Sequence, residues 1–248
     1  MVLVTGATGN GKTTTIAGMV RHLNETRRAH IVTIEDPIEY RLAGITQIPV
    51  NPGIGLTFAS LLRQVVRFDP DVVMVGEVRD HDTAEISARA ALTGHLVLSS
   101  IHTNDAPSAL TRMTDMGVPT YVTSSAMLGV VAQRLTRRLC AYCKQPDDVP
   151  YEALLQAGYA PEEAATIMPM RAVGCERCLN SGYKGREGLF EIMVMNDELR
   201  HLFLKDASSD ALRCVAIESG MKTLRRDGLD KVAAGVTTLS ELARVVSF

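Results

Sequence analysis

Val2-Leu3-Val4-Thr5-Gly6-Ala7-Thr8-Gly9-Asn10-Gly11-Lys12-Thr13-Thr14 opens the chain with a short apolar run, a glycine-rich turn and the first residues of a helical stretch. The spacing Gly6-x4-Gly11-Lys12-Thr13, set between a strand and a helix, is that of a phosphate cradle. Glycines let the backbone turn tightly enough for several N–H groups to face one phosphate, while Lys12 adds a point charge and Thr13 an oxygen for Mg²⁺. The positive end of the helix falls on the same spot. A glycine-rich turn without a ligand reproduces part of this pattern, but the whole of it is demanding. The candidate nucleotide-binding residues are therefore Gly6, Thr8, Gly9, Asn10, Gly11, Lys12, Thr13 and Thr14.

Outward from the cradle, strand-like and helix-like segments alternate. Lys12 to about Thr26 reads as a helix, His30 to Ile34 as a strand, Phe58 to Phe68 as a helix and Val72 to Val75 as a buried strand. Asp82 to Thr93 reads as a helix, Leu96 to Ile101 as another buried strand, and Asn104-Asp105 as a cap before Pro107. Such alternation builds an α/β fold with a mostly parallel sheet. A further helix is expected from Tyr121 to about Arg138, with Arg134, Arg137 and Arg138 on it as a basic cluster. Cys140 to Tyr183 is broken by four prolines and reads as a small metal-held insert. After Gly188 the pattern is of compact helices: Asp197–Lys205, Ser209–Ser219, Thr223–Ala234 and Ser240–Val246. Thr238-Leu239-Ser240-Glu241 has capping-box spacing before the last.

Nucleotide hydrolysis also needs acidic groups beyond the ends of neighbouring strands. Glu77 follows the apolar run Val72-Val73-Met74-Val75 and Gly76, and Glu35-Asp36-Pro37-Ile38-Glu39 follows the strand ending at Ile34. Strand ends expose charges routinely, yet two such carboxylates on the sheet that carries the cradle favour function. Spacing does not separate Glu35 from Glu39. His102 stands at a strand end, where a γ-phosphate sensor belongs, whereas His95 reads more simply as a turn or core residue. Arg63 and Arg67, four apart on one helix face, either decorate solvent or reach a phosphate in cis or from a neighbouring subunit.

The chain has 248 residues, 46% of them hydrophobic, enough for one large domain with smaller attachments. No apolar run approaches the roughly 18 residues of a membrane span, and the start lacks signal-peptide layout, so the cytoplasm is expected. A formal net charge of -2 and 4% aromatic residues disfavour a nucleic-acid partner. The alternative of a nucleotide-regulated nucleic-acid-binding zinc ribbon is weaker on that ground, and a third reading is an inert scaffold. Four of the 5 cysteines form two C-x-x-C pairs, Cys140/Cys143 and Cys175/Cys178. Four thiolates close a tetrahedral shell, so a metal there is structural. Reduced free thiols and disulfides remain the alternatives. Cys214, near Leu212 and Ile217, reads as a buried core thiol. The arginine cluster reads as a solvated helix face or as a contact for a membrane platform protein or anionic lipid headgroups. A strand so close to the cradle at the start of the chain implies that an N-terminal part is missing.

Taken together, these motifs resemble the secretion and pilus motor ATPases of type II secretion and type IV pilus assembly. The resemblance spans essentially the whole chain. It rests on the cradle Gly6–Thr13; on Thr33-Ile34-Glu35-Asp36-Pro37-Ile38-Glu39-Tyr40, which looks like the aspartate box; on Met74-Val75-Gly76-Glu77-Val78-Arg79-Asp80, which matches the Walker B segment; and on Thr93-Gly94-His95 to His102-Thr103-Asn104-Asp105-Ala106, the histidine box. It implies a RecA-like P-loop core over 1–138, a four-cysteine zinc subdomain over 139–184 and a C-terminal helical subdomain over 185–248. It further implies a homo-hexamer at the cytoplasmic face of the inner membrane, powered by ATP and Mg²⁺, acting on a platform protein and the secretion or pilus components. Within that picture Glu39 or Glu35 activates water, Glu77 holds Mg²⁺ through water, and Arg63 and Arg67 face the nucleotide. The cysteine tetrad is similar to the zinc site of assembly-type members, which retraction motors lack. The family's N-terminal domains, one of which supplies arginines to the site, are expected to be absent here.

Overall fold

The computed structural model describes residues 1–246; Ser247 and Phe248, which end the C-terminal subdomain expected from sequence, lie outside the described residues. The glycine-rich turn is entered from β1 (Val2–Thr5) and left along α1 (Lys12–Thr26). Then come β2 (Ile31–Glu35), β3 (Thr46–Pro49), α2 (Phe58–Val65), β4 (Val72–Val75), α3 (His81–Leu92) and β5 (Leu96–Ile101). α4 (Pro107–Asp115) and α5 (Thr120–Ala126) lead to the long β6 (Gly129–Leu139). The proline-broken stretch holds β7 (Gln145–Pro146), α6 (Tyr151–Ala157), α7 (Pro161–Thr166) and β8 (Met170–Arg171), and β9 (Tyr183–Val194) follows. The chain closes with α8 (Asp197–Leu204), α9 (Ser209–Glu218), α10 (Leu224–Ala233) and α11 (Leu239–Val245).

The main sheet runs β3-β2-β4-β5-β1-β6-β9, and the pairings among its first six strands are parallel. The result is the mixed α/β architecture expected from sequence. Parallel strands covered by helices read as continuous apolar runs, as β4 does with all four residues buried. Val32, Ile34, Val73 and Val75 pack under Phe58, Leu61, Leu62 and Val65 of α2. α2 is held in register by reciprocal capping, Ser60 N–H donating to Thr57 Oγ1 at 3.2 Å and Thr57 N–H to Ser60 Oγ at 2.9 Å. Because β1, β2, β4 and β5 all point the same way, the segments after Thr5, Glu35, Val75 and Ile101 emerge at one edge, where ligands of open α/β sheets bind.

Two compact units divide the chain: Met1–Ala132 with Ile192–Met221, and Gln133–Glu191 with Lys222–Phe248. They are not the three consecutive segments expected from sequence. α8 and α9 belong to the first unit and α10 and α11 to the second. In the first, the Arg200 guanidinium of α8 donates to the carbonyls of Ser124 and Met127, and Arg213 of α9 pairs with Asp105 at 2.5 Å. In the second, Tyr159 donates to the Leu229 carbonyl at 2.7 Å, tying the proline-broken stretch to α10.

Four local expectations are corrected. The helix expected from Tyr121 to Arg138 ends at Ala126, and Gly129–Leu139 is strand. Gly129-Val130-Val131-Ala132 pairs with Val2–Thr5 of β1, and a Cβ on Gly129 would lie 2.7 Å from the Met193 carbonyl. The arginine cluster therefore sits on a strand, where Arg137 binds the buried Glu241 at 2.6 Å. The Thr238–Glu241 capping box is half made: Glu241 N–H donates to Thr238 Oγ1 at 3.1 Å, but its carboxylate turns to Arg137 and Arg244. Cys214 is exposed, because Leu212 and Ala216 define the buried stripe of α9 and Cys214 lies between them in sequence, on the opposite face. Finally, β9 extends to Val194, although the sequence after Gly188 reads as compact helices.

Candidate functional site

The turn after β1 places Gly6, Gly9 and Gly11 at φ 149°, 82° and 79°. Side chains rarely adopt these angles, so the glycines are what permits the concave backbone. Gly11 stands directly before α1 and directs the helix N-terminus into the concavity. Lys12 is buried at 9% exposure and folds over the turn, its Nζ 2.7 Å from the Gly6 carbonyl and 3.3 Å from that of Ala7. Asn10 closes the turn through Nδ2 to the Ala7 carbonyl at 3.2 Å. Thr8 and Thr14 are exposed and Thr13 is half-buried, and Thr14 Oγ1 lies 3.1 Å from the hydroxyl of Tyr40. The cradle thus offers backbone amides, an ammonium and a threonine hydroxyl, a donor set that fits a polyphosphate with Mg²⁺.

Two neighbouring strand ends join it. Thr103 N–H donates to Thr5 Oγ1 at 2.7 Å, clipping the segment after β5 to the last residue of β1. Beyond β4, Ser100 Oγ donates to the Gly76 carbonyl at 2.8 Å and Val78 N–H to the Ser100 carbonyl at 2.9 Å. Glu77 is held between these bonds with its side chain 13% exposed; it pairs with Arg79, and His102 Nε2 lies 3.7 Å from its other oxygen. The structure therefore brings Glu77 and His102 together. Asp80 ends the same segment as the cap of α3, accepting from Thr83 N–H at 2.8 Å.

The acidic residues after β2 differ from one another. Glu35 is buried at 5% exposure and its Oε1 accepts from Thr33 Oγ1 at 2.6 Å and Gln47 Nε2 at 2.8 Å. Glu39 is exposed on the following loop. Arg63 pairs with Asp82 of α3 at 2.6 Å, both side chains more than half exposed, and Arg67 is exposed on the next turn. His95 serves the end of α3, its Nδ1 3.0 Å from the Ala90 carbonyl. Thr5 and Gln47 escape a reading by motif, and Tyr40 and Thr103 fall inside motifs that assign them no role, since no spacing marks a side chain whose partner is fixed only by the sheet.

In the second unit, Cys140, Cys143, Cys175 and Cys178 place their sulfurs within 4.8 Å of one another. Cys140–Cys175, Cys143–Cys178 and Cys175–Cys178 are separated by 3.9, 3.8 and 3.8 Å. A tetrahedron with Zn–S bonds of about 2.3 Å has edges of about 3.8 Å, so the tetrad fits zinc and carries no disulfide. Burial pushes the Cys143 thiol up to about 11. Burial also opposes ionisation of Cys178, yet N–H donation from Cys175 and Gly182 outweighs it and holds that thiol at about 6. With four sulfurs in the shell, no position remains for a substrate.

A family model described as type II/IV secretion system protein matches residues 1–244. The chain is 46% identical over 249 aligned residues to the type IV pilus assembly ATPase PilB of Acinetobacter baylyi, covering 100% of this chain and 43% of that protein. It is 48% identical to the type II secretion system protein E of Pseudomonas aeruginosa, covering 99% of this chain and 48% of the relative. The chain thus spans less than half the length of these curated relatives. A solved structure of the pilus retraction motor PilT with bound ADP superposes with TM-score 0.74 at 30% identity, over 100% of this chain and 61% of that one. Among the described residues, no helix is long and apolar enough to cross a membrane.

Proposed function

The chain belongs to the type II/IV secretion system protein family, and from that premise we propose that it is the ATP-hydrolysing part of a motor for protein secretion or pilus assembly. The observation that carries the proposal is the shared sheet edge, where the cradle of Gly6–Thr13 and the Glu77–His102 pair are clipped together through Thr5 and Thr103. Backbone amides and Lys12 hold and orient the phosphates. Thr13 and Glu77 would hold Mg²⁺, which neutralises phosphate charge when bound. Glu39 accepts the proton of the attacking water: it is exposed, and its neighbour Tyr40 reaches Thr14, two residues beyond Lys12. Glu35, buried with Oε1 already accepting two hydrogen bonds, serves as a fixed anchor instead. His102 reports on the terminal phosphate through Glu77.

Relatives named for pilus assembly and for type II secretion support these two roles about equally. The working form in this reading is a homo-hexamer at the cytoplasmic face of the inner membrane, pushing on a platform protein. The cysteine tetrad holds a structural Zn²⁺. Arg138, exposed on β6, is the member of the basic cluster that meets anionic headgroups, Arg137 being committed to Glu241. The test is ATP turnover by an enforced hexamer of the protein. Lys12→Ala and Glu39→Gln should each lower kcat by about 100-fold or more; normal turnover in both would reject the site.

A further inference from the structure

The loop that carries Glu39 is held by a side chain that belongs to none of the four motifs. Thr33 and Glu35 alternate onto one face of β2, and Gln47 on the edge strand β3 stands opposite Thr33 in parallel register. The three polar side chains therefore converge. Gln47 Nε2 donates to Glu35 Oε1 at 2.8 Å and to the Tyr40 carbonyl at 2.8 Å, while its Oε1 accepts from Leu42 N–H at 2.8 Å. Both amide hydrogens and the carbonyl are used. Turning the carboxamide over would set oxygen against oxygen at Glu35 and Tyr40 and N–H against N–H at Leu42, so one orientation is enforced.

At its other end, Tyr40 brings its hydroxyl within 3.1 Å of Thr14 Oγ1 on the helix that leaves the cradle. Asn24 Nδ2 of the same helix donates to the Ala43 carbonyl at 3.0 Å. The residue next to Glu39 is thus tied to the sheet by its carbonyl and to the cradle helix by its side chain. A buried carboxylate with two donors on one oxygen is a rigid base for this arrangement.

We propose that Gln47 is a positioning residue for ATP hydrolysis: anchored on Glu35, its carboxamide fixes the loop of residues 36–42 so that Glu39 is presented to the phosphate cradle. The proposal rests on the reading of that cradle as a hydrolytic site. Gln47 spends its amide hydrogens on Glu35 and Tyr40 and its carbonyl on Leu42, and so acts through Glu39. Its loss therefore lowers kcat and leaves nucleotide affinity in place, whereas a merely structural role would lower stability and affinity together.

The experiment compares wild type, Lys12→Ala, Gln47→Met and Gln47→Glu in the intact protein. ATP turnover is measured beside the affinity for a fluorescent ATP analogue, and amide hydrogen exchange is followed over residues 39–43. Gln47→Met keeps the length and removes all three bonds; Gln47→Glu keeps the acceptor for Leu42 and loses both donations, which guards against one variant failing to fold. The expected result is a fall in kcat of about 10-fold or more in both, analogue affinity within about twofold, and faster exchange at Leu42 with α1 unchanged. Unaltered kcat in a folded variant overturns the proposal, as does a loss of affinity that matches the loss of kcat. An inactive wild type, or an active Lys12→Ala, would instead remove the hydrolytic reading beneath it, while the exchange at Leu42 would still report whether Gln47 holds the loop.

Discussion

Glu241 shows how far a single side chain departs from what its neighbours in sequence suggest. It is 1% exposed, accepts from Arg137 Nε at 2.6 Å and from the Arg137 amide at 3.1 Å, and pairs with Arg244 from below on its own helix. Burial pushes its carboxyl up, but the two guanidiniums and the amide overcome that and hold it at about 2, below the usual 4.5. The folded value being the lower one, its contribution to stability is complete above about 4.5 and is lost as pH falls toward about 2. Glu241→Gln should therefore cost about 2 kcal/mol at neutral pH, because the buried carboxylate loses its charge-assisted hydrogen bonds while both guanidiniums keep access to solvent. Chemical denaturation at neutral and acid pH checks this: the gap between variant and wild type should close in acid. The sequence showed the threonine cap at Thr238 but not Arg137 as the partner of Glu241, since those two meet only across the fold. Cys214 is the converse case, an apolar-looking position that the phase of α9 turns outward.

At the scale of elements, the cysteine knuckles are the part of the second unit with most chemistry and least core. Around them Tyr142 lies under Arg177 with 4.0 Å from guanidinium to ring centroid, and Leu179 is 90% exposed. Little apolar burial holds such a segment, and structural zinc supplies about 10 to 16 kcal/mol in small peptides. Metal analysis should find one zinc per chain. Chelation, or Cys178→Ser, should lower the melting temperature of the second unit by several degrees and raise hydrogen exchange across 140–183 while sparing β1 to β5; an unchanged melt would show that the tetrad binds no structural metal. The cysteine spacing was legible because C-x-x-C is a local geometry. β6 was not, because Val130 and Val131 suit either state until β1 supplies a partner.

At the scale of the whole molecule, the parallel strands gather the four motif segments at one edge, and in the proposed hexamer an arginine of a neighbouring copy reaches that edge. The Arg63–Asp82 pair is exposed and worth little, so it opens at small cost, and Arg67 is already turned to solvent. An arginine delivered across a subunit boundary contributes about 10³ to 10⁵ in rate. Arg67→Ala should then be nearly inactive alone, yet recover turnover when mixed with Lys12→Ala subunits, which keep the arginine and lack a working cradle. Absence of recovery in mixed assemblies would place Arg67 outside catalysis. What the sequence by itself determined is the chemistry and its order: the glycine cradle, the carboxylates after apolar strands and the paired cysteines, all set by short-range spacing that backbone geometry reads directly. Tertiary structure alone decided which carboxylate is buried as an anchor and which is presented, that Gln47 and Thr103 serve the site, and that residues 129–139 are strand, because each depends on a partner distant in sequence that only the closed sheet brings within hydrogen-bonding reach.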